Sequence, residues 1–595
     1  MSSFRFTHLT KPLLLTSACM LLGLGWITAA SAEHEGVDTV TAQPVREASS
    51  GFFSFDILTA DRPLIEAGML SGLEQGKIGK SAFRDAAAMK QFYDARDGNP
   101  YWVDVRGSEH EKVSDVLKTL DDAWTQALNP ENYHVSQIRE LQKSNAPEDK
   151  ARLELLVTDA VIRYGHDMTG MHMSVGATQE DPQFWRKAQT AQETLAAVTG
   201  KGDVTEALSN LAPKDALYTR LRQELVALVS DPDRARDTGG PIRFDGVLRP
   251  GDFARDVPKL RERLNVIHEK VNGPDRKYDD TLAAAVMVFQ RQNGMEADGH
   301  IGPKTLALLN RTPDEKIRQI IANMERLRWL EENRPERYVL VNIPSQTLWA
   351  VDHGNVAMEM PVIVGKPERA TKIFVTEITG VRFNPKWTVP PTIKQNDMLT
   401  HLQEDRTYLE QKGIELSQTV DGHRETLDPS QIDWSQVTKA EINRMHMVQG
   451  AGDNNALGKV RVLMDNPYDI YLHDTSSPEL FSKQERTLSS GCIRMSNPEA
   501  MARFILADNE NWSDKKMRSV IDSGRTTEIS AAAKMPVYIV YQTIWLDDAG
   551  RLVYGPDVYK KDKALVGAMN TLHVYHIPEP QQPKFASIGV EQPIH

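Results

Sequence analysis

The spacing of apolar residues changes about halfway along the chain, and this change constrains the fold more than any other feature. From about Pro63 to Val229 apolar side chains recur at helical spacing, as between Leu153 and Tyr164. After Pro335 the period becomes two, in runs such as RYVLVNIP and KIFVTEITGVRF. The first period indicates helices with one buried face, and the second indicates strands. The sequence therefore predicts a multidomain α+β protein with a helical first half and a mainly-β second half.

Three further segments interrupt this simple division. Residues 249–312 have their own helical pattern, divided by the turn ADGHIGPKT, and predict three short helices. Thr312 and Glu315 then provide an N-cap and a capping box for a connecting helix. Between residues 397 and 447 a long polar stretch interrupts the β pattern, and its length exceeds that of an ordinary loop. We therefore predict an insertion in the second half.

The N-terminus has the pattern of a secretory leader. Arg5 and Lys11 precede an uncharged run that ends in an Ala-Ser-Ala cleavage pattern at Ala32. The run is also about long enough to span a bilayer, so residues 1–32 are either a cleaved signal peptide or an inner-membrane anchor. In both cases the bulk of the chain acts outside the cytoplasm. The remaining terminal segments are a flexible lead-in and a C-terminal tail, at residues 33–60 and 581–595.

Composition excludes several classes of partner. The chain has 595 residues with 70 basic and 82 acidic side chains, a net charge of −12. Such a chain is a poor match for nucleic acid, and membrane contact is expected only through an uncleaved leader. His166 and His172 do not share one helical face, and no cysteine or acidic residue completes a zinc set. We therefore predict no metal and no cofactor.

The clearest candidate for chemistry is a lone thiol. Of the two cysteines, Cys19 lies in the leader, which leaves Cys492 unpaired in a compartment where disulfides form. A thiol attacks acyl carbon as the thiolate, and His473, at the end of YDIYLH, is the candidate base. Cys492 follows a Ser-Ser-Gly turn, where the N–H groups of Gly491 and Cys492 could hold an oxyanion. The pattern predicts cysteine acyl transfer, with a buried structural thiol as the alternative.

Longer motifs resemble a known family. The segment HDTSSPELFSKQERTLSSGCIR, from His473 to Arg494, resembles the signature of the L,D-transpeptidases, in which a histidine precedes an S-x-G-C-x-R element. The segment from Asp279 to Asn310 resembles the peptidoglycan-binding domain of wall enzymes. Over most of residues 60–575 the chain resembles the large periplasmic L,D-transpeptidases of Gram-negative bacteria.

This resemblance implies a domain order and a set of site residues. The implied domains are a helical scaffold domain at 61–245, a peptidoglycan-binding domain at 249–312, a connecting helix at 313–335, and a mainly-β catalytic domain at 336–580 with a lid at 397–447.

The resemblance also implies roles for the site residues. Cys492 is the nucleophile and His473 the general base, and the N–H groups of Gly491 and Cys492 are the oxyanion donors. Ser490 shapes the loop, and the Asp474 carbonyl orients the histidine. Arg494 either anchors the loop or meets a substrate carboxylate, and Tyr471 either lies near the oxyanion or packs in the core.

The resemblance also implies a reaction. Cys492 would attack the carbonyl of the third residue of a tetrapeptide stem, release D-alanine, and pass the acyl group to an amine of another stem, forming a 3→3 cross-link. The implied partners are peptidoglycan donor and acceptor stems, wall-synthesis proteins, and carbapenems as covalent inhibitors. The implied location is the periplasm, with a role in cell wall organisation and cell shape.

Three other functions remain open from the sequence. The same residues would serve an L,D-carboxypeptidase or endopeptidase that uses water as the acceptor. They would also serve an enzyme that anchors a protein to the wall through a lysine amine. The third function is a non-catalytic wall-binding scaffold built on residues 249–312, against which the intact Cys492 and His473 pair argues.

Overall fold

The structure is a computed structural model that describes residues 57–104, 110–172, 181–200, 202–230, 240–265 and 276–569. The predicted leader, nearly all of the lead-in and the C-terminal tail lie outside these residues. Among the described helices, none combines the length and the apolar character that a membrane crossing requires.

The first region is helical, as the periodicity predicts. Its helices are Ile57–Gln75, Ala86–Asp94, Glu111–Asp121, Val135–Gln142, Pro147–Thr169, Ala191–Thr199, Val204–Ser209 and Ala216–Ser230, with 3-10 turns at Asp122–Gln126, Pro130–Tyr133 and Pro182–Phe184. A short hairpin joins strands β1 (Lys77–Ile78) and β2 (Ser81–Ala82). The helix Pro147–Thr169 is buried on nearly every side, because the helices before and after it pack around it. It is therefore the centre of the scaffold region.

A buried carboxylate fixes one loop of this region against the central helix. Glu154 accepts hydrogen bonds from the backbone N–H groups of Tyr101, Trp102 and Val103 at 2.7 to 3.0 Å. The Tyr93 hydroxyl donates to the same carboxylate at 2.8 Å. Burial raises the pKa of Glu154 to about 6, and the hydrogen bonds oppose this rise. The loop thus depends on one acceptor group for three backbone donors.

The second region is a small bundle of three helices, at Val257–Arg263, Asp280–Gln292 and Pro303–Leu309. It has its own apolar core, which includes Leu260, Leu282 and Leu309. This confirms the prediction of three short helices.

The helix Pro313–Arg328 connects the regions, and its capping box between Thr312 and Glu315 is formed as predicted. Its buried polar side chains bond in two directions. Toward the β region, Gln319 donates to two backbone carbonyls at 2.9 Å. Toward the scaffold region, Arg328 donates to the Gln126 carbonyl and pairs with Glu325 within the helix. The helix therefore orients the scaffold region and the β region relative to each other.

The last region is mainly β, which confirms the predicted fold class. Its strands are β3 Arg337–Asn342, β4 Thr347–Asp352, β5 Asn355–Gly365, β6 Phe374–Phe383, β7 Trp387–Thr388, β8 Ile414–Val420, β9 His423–Thr426, β10 His446–Gln449, β11 Val460–Met464, β12 Leu472–His473, β13 Thr487–Ser489, β14 Ile493–Met495, β15 Thr527–Val540, β16 Ile544–Leu546 and β17 Leu552–Tyr554. The main sheet has nine strands in the order β13-β5-β14-β12-β11-β6-β15-β3-β4. A further pairing of β4 with β5 closes this sheet on itself. Helices Pro498–Ile505, Asp514–Asp522 and Lys561–Met569 complete the region.

The insertion forms a separate unit with its own sheet and core. Its strands pair in the order β7-β10-β8-β9, beside helices Pro391–Ile393, Leu399–Glu404, Tyr408–Gln411 and Lys439–Arg444 and a π-helical turn at Lys394–Met398. Ten buried apolar residues, among them Leu402 and Trp434, form the core. The unit begins at Trp387 rather than at residue 397, because Trp387 pairs with Gln449 at the far end of the insertion. The β-rich sequence before residue 397 gave no local sign of this pairing.

We expect Glu154→Gln to lower the free energy of unfolding of the scaffold region by about 2 to 3 kcal/mol. The amide has one acceptor oxygen where the carboxylate has two, so at least one buried backbone N–H loses its partner. Chemical denaturation followed by tryptophan fluorescence measures the change. Glu140→Gln is the matched control, since Glu140 is exposed and forms a surface ion pair with Lys143. Equal unfolding midpoints for the two variants would contradict this account of the loop.

Candidate active site

Two short strands bring the cysteine and the histidine to one face of the sheet. β12 and β14 are parallel, with His473 opposite Arg494. The Tyr471 carbonyl accepts the Ile493 N–H at 3.0 Å, so Cys492 lies level with Tyr471. Because side chains alternate along strands, Tyr471, His473, Cys492 and Arg494 point to the same face. The thiol, one residue before β14, therefore lies diagonal to the base candidate on β12.

The imidazole of His473 is held by a backbone group. His473 is buried, and its Nδ1 is hydrogen-bonded to the Asp474 carbonyl oxygen. A carbonyl only accepts, so Nδ1 carries the proton and Nε2 keeps its lone pair. The Asp474 carboxylate is used elsewhere, since it accepts the N–H groups of Lys459 and Thr475, both at 2.7 Å. The arrangement leaves Nε2 as a proton acceptor.

Electrostatics keep this histidine neutral. Burial lowers the pKa of His473 to about 3, and the cations Arg494 and Arg461 contribute in the same direction. At neutral pH the ring is therefore uncharged and can accept a proton.

The thiol of Cys492 is half-buried and protonated at rest. Its Sγ donates to the Asp469 carbonyl at 3.6 Å. Burial raises the pKa of Cys492, whereas Tyr471 and the arginines Arg461 and Arg494 act against this rise. The thiol and the imidazole are thus both neutral at rest, so an attack by the sulfur would require proton transfer to a base.

The turn before Cys492 differs in one respect from the sequence-based hypothesis. Gly491 has φ of +121°, a conformation that favours glycine, and its N–H donates to the buried Ser489 hydroxyl at 3.1 Å. The same hydroxyl donates to the Cys492 carbonyl at 2.5 Å. The Gly491 N–H, expected to face an oxyanion, is therefore occupied, and Ser489 rather than Ser490 bonds within the turn. In the part of the chain that the structure describes, the Cys492 N–H has no hydrogen-bond partner.

Ser490 points outward and connects the turn to the insertion. Its hydroxyl accepts from Arg369 Nη1 at 3.0 Å. Arg369 also forms a two-point ion pair with Asp397, in which Nη2 lies 2.9 Å from Oδ1. Asp397 belongs to the π-helical turn Lys394–Met398 of the insertion. Asp397, Arg369 and Ser490 thus form a continuous series of contacts between the insertion and the turn before Cys492.

Arg461 is a site residue that the sequence-based reasoning missed. It lies on β11 directly opposite His473, and its guanidinium lies 3.9 Å from the centroid of the Tyr471 ring. The Tyr471 ring in turn lies 5.7 Å from the His473 ring, edge to face. Among the described atoms, the buried Nε of Arg461 and that of Arg494 have no hydrogen-bond partner. The alternating pattern of VRVLM predicts that Arg461 and Leu463 lie on the same face of strand β11. The sequence does not show that this strand pairs with β12, and it is this pairing that places Arg461 opposite His473.

Metal ligands do not gather in the described residues: no three His, Cys, Asp or Glu side chains come together there as a metal site requires.

Three parts of the chain match known families. Residues 336–539 match the L,D-transpeptidase catalytic domain, residues 87–225 a scaffold domain, and residues 254–309 a peptidoglycan binding domain. A Haemophilus influenzae protein named as an L,D-transpeptidase is 31% identical over 253 residues, which are 42% of this chain and 50% of the relative. The chain thus spans about half the length of this relative.

Several solved structures are also similar. An L,D-transpeptidase from Mycobacterium smegmatis has 14% identity and a TM-score of 0.18, covering 34% of this chain and 58% of that one. One from Xylanimonas cellulosilytica has 14% identity and a TM-score of 0.17, covering 50% and 100%.

We expect Arg461→Gln to shift the alkylation of Cys492 by iodoacetamide to higher pH. A nearby cation stabilises the thiolate, so its removal raises the pKa of the thiol. The rate of alkylation is measured against pH. Arg461→Lys should keep the original midpoint, because it keeps the charge. Arg382→Gln is the control one strand away, where Arg382 is already paired with Glu528 at 2.6 Å. A shift to lower pH, or an equal shift in the control, would refute this role of Arg461.

Proposed function

Because the chain carries an L,D-transpeptidase catalytic domain and a peptidoglycan-binding domain, we propose that it forms 3→3 cross-links in periplasmic peptidoglycan through a thioester at Cys492. The observation that carries the proposal is the arrangement of Cys492 and His473. His473 lies on β12 opposite Arg494, and Cys492 directly precedes β14, level with Tyr471. The Asp474 carbonyl occupies Nδ1 of His473, which leaves Nε2 as the proton acceptor.

The first half of the reaction forms the thioester. His473 Nε2 takes the thiol proton as Sγ attacks the carbonyl carbon of the third residue of a donor stem. The resulting oxyanion is stabilised by the Cys492 N–H and by the Tyr471 hydroxyl, a group close enough to Cys492 to affect the pKa of the thiol. When the intermediate collapses, the bond to D-alanine breaks, and the leaving amine takes the proton from His473.

The second half transfers the acyl group. A side-chain amine of another stem attacks the thioester carbon and gives its proton to His473, and the Cys492 thiolate leaves and recovers that proton. No ATP is needed, because the energy of the original amide bond is kept in the thioester until the acceptor arrives. The acidic surface of the chain, with a net charge of −12, does not oppose an acceptor amine that carries a positive charge in solution.

The insertion has a role as a lid in this proposal. Water competes with the acceptor for the thioester, so a cover over the donor favours cross-linking over hydrolysis. The contacts of Arg369 with Asp397 and with Ser490 support this role, since they join the insertion to the turn at residues 489–492, called the nucleophile turn below. The peptidoglycan-binding region is also joined to the β region, through an exposed ion pair of 2.7 Å between Lys304 and Glu485.

The direct test is mass spectrometry of the products that the purified chain forms from a disaccharide-tetrapeptide. We expect a dimer that has lost one D-alanine, and we expect none with Cys492→Ala. His473→Gln should reduce the product by roughly a hundredfold or more, because the general base is lost. A tripeptide without dimer would instead indicate an L,D-carboxypeptidase. If no product depends on Cys492, the proposed function is wrong.

We expect Asp397→Asn to lower the ratio of dimer to tripeptide by roughly threefold, the effect of about 0.7 kcal/mol from a partly buried ion pair. The neutral amide no longer holds Arg369, so the insertion covers the thioester for a smaller fraction of time. The matched control is Asp433→Asn, which removes another Asp–Arg pair of the insertion, with Arg406, far more exposed. The same ratio in both variants would argue against the lid role of this contact.

A further inference from the structure

A buried threonine contacts the nucleophile turn from the protein interior. Thr371 lies in the turn between β5 and β6 and is fully buried. Its hydroxyl donates to the Gly491 carbonyl at 2.8 Å and accepts the Gly365 N–H at 2.8 Å. Both directions are unambiguous, because a carbonyl only accepts and a backbone N–H only donates. Both polar functions of the hydroxyl are therefore used to hold backbone groups.

The bond to Gly491 determines where the Cys492 N–H points. The Gly491 C=O and the Cys492 N–H belong to one planar trans peptide, so they point in opposite directions. Thr371 holds the C=O toward the protein interior. The N–H consequently points away from the interior, and within the described residues it has no hydrogen-bond partner.

Glycine at position 491 does not fix this orientation by itself. With φ at +121° and no side chain, Gly491 can rotate its following peptide at little steric cost. On the other side of the turn, the Ser489 hydroxyl bonds the Gly491 N–H and the Cys492 carbonyl. Neither of those groups belongs to the Gly491–Cys492 peptide unit itself. The Thr371 hydroxyl is therefore the side-chain contact that sets the plane of that peptide.

We propose that Thr371 is a positioning residue for acyl transfer, whose hydroxyl orients the Gly491–Cys492 peptide so that the Cys492 N–H meets the developing oxyanion. The inference rests on the proposed function, because it requires Cys492 to attack an acyl carbon. It adds a residue that touches neither substrate nor thiol.

Thr371 is itself held in place by a second hydroxyl. The Tyr559 hydroxyl accepts the Thr371 N–H at 3.3 Å and donates to the Gly365 carbonyl at 2.6 Å. The turn also closes directly onto Gly365, where a Cβ would lie 2.3 Å from the Arg369 carbonyl oxygen. This packing fixes the position of the hydroxyl before any substrate binds, as a preorganised oxyanion site requires.

Two reactions of the Cys492 thiol distinguish a residue that orients the Cys492 N–H from one that only stabilises the fold. Acylation by a carbapenem passes through a tetrahedral oxyanion and needs the Cys492 N–H. Alkylation by iodoacetamide displaces iodide at a saturated carbon, forms no oxyanion and needs only an accessible thiolate. Loss of the Thr371 hydroxyl should therefore slow the first reaction and spare the second.

The experiment compares both rates in Thr371→Val, followed by mass spectrometry of the intact purified chain. We expect carbapenem acylation at Cys492 to fall by roughly tenfold to a hundredfold, with alkylation within about twofold of wild type. Thr371→Ser keeps the hydroxyl and should restore acylation. Thr379→Val is the matched control, because the Thr379 hydroxyl also donates to a backbone carbonyl of the sheet, that of Leu463 at 3.3 Å, away from the turn.

The outcomes distinguish the two proposals. If the wild type is alkylated but never acylated at Cys492, the proposed function fails and this inference fails with it. If the wild type is acylated and Thr371→Val matches it, or loses both reactions equally, only the role of Thr371 is refuted. Should Thr371→Val not fold, Tyr559→Phe removes the group that holds Thr371, and an unchanged ratio of acylation to alkylation would then refute it.

Discussion

The parallel pairing of β12 with β14 is the constraint on which the rest of the site depends. Each strand is very short, yet their register places His473 opposite Arg494 and Cys492 level with Tyr471. A slip of one residue would turn one member of the pair to the other face of the sheet and separate thiol from imidazole. The intervening segment is fixed independently, since the Arg486 N–H donates to Gln346 at 2.6 Å and its guanidinium bonds the Val362 carbonyl. The register is thus supported near the Cys492 end of the segment.

Burial and charge act on this pair in different ways. Burial favours the neutral form of each group, so it lowers the pKa of His473 and raises that of Cys492. The cations Arg461 and Arg494 lower the pKa of both groups. For the thiol they partly offset the rise in pKa that burial causes, and for the imidazole they add to the fall in pKa that burial causes. The arginines therefore favour the thiolate form of Cys492 and disfavour the imidazolium form of His473.

Short sequence patterns predicted the secondary structure and the candidate catalytic pair, but not the contacts between distant parts of the chain. The capping box at Thr312, the three-helix bundle and the mainly-β character of the last region follow from short patterns, and the structure confirms them. The candidates Cys492 and His473 came from an equally local motif, and their roles stay predictions. Ser489, Arg461 and Thr371 were missed, because their importance comes from contacts with turns and strands that the motif does not specify. The start of the insertion at Trp387 was missed for the same reason, since its strand partner lies at the far end of the insertion.

The turn between β5 and β6 contacts the nucleophile turn at two levels, and the two contacts differ in kind. Arg369 reaches the exposed Ser490 and is shared with Asp397 of the insertion, so this contact depends on the position of the insertion. Thr371 reaches Gly491 in the interior and depends on Tyr559 and Gly365, which belong to the main β region. Because the Gly491–Cys492 peptide is held from the interior, a movement of the insertion, as the proposed lid role requires, would not turn the Cys492 N–H. In the proposed function, opening of the lid would therefore depend on Arg369 and preorganisation for acyl transfer on Thr371, two residues of one turn.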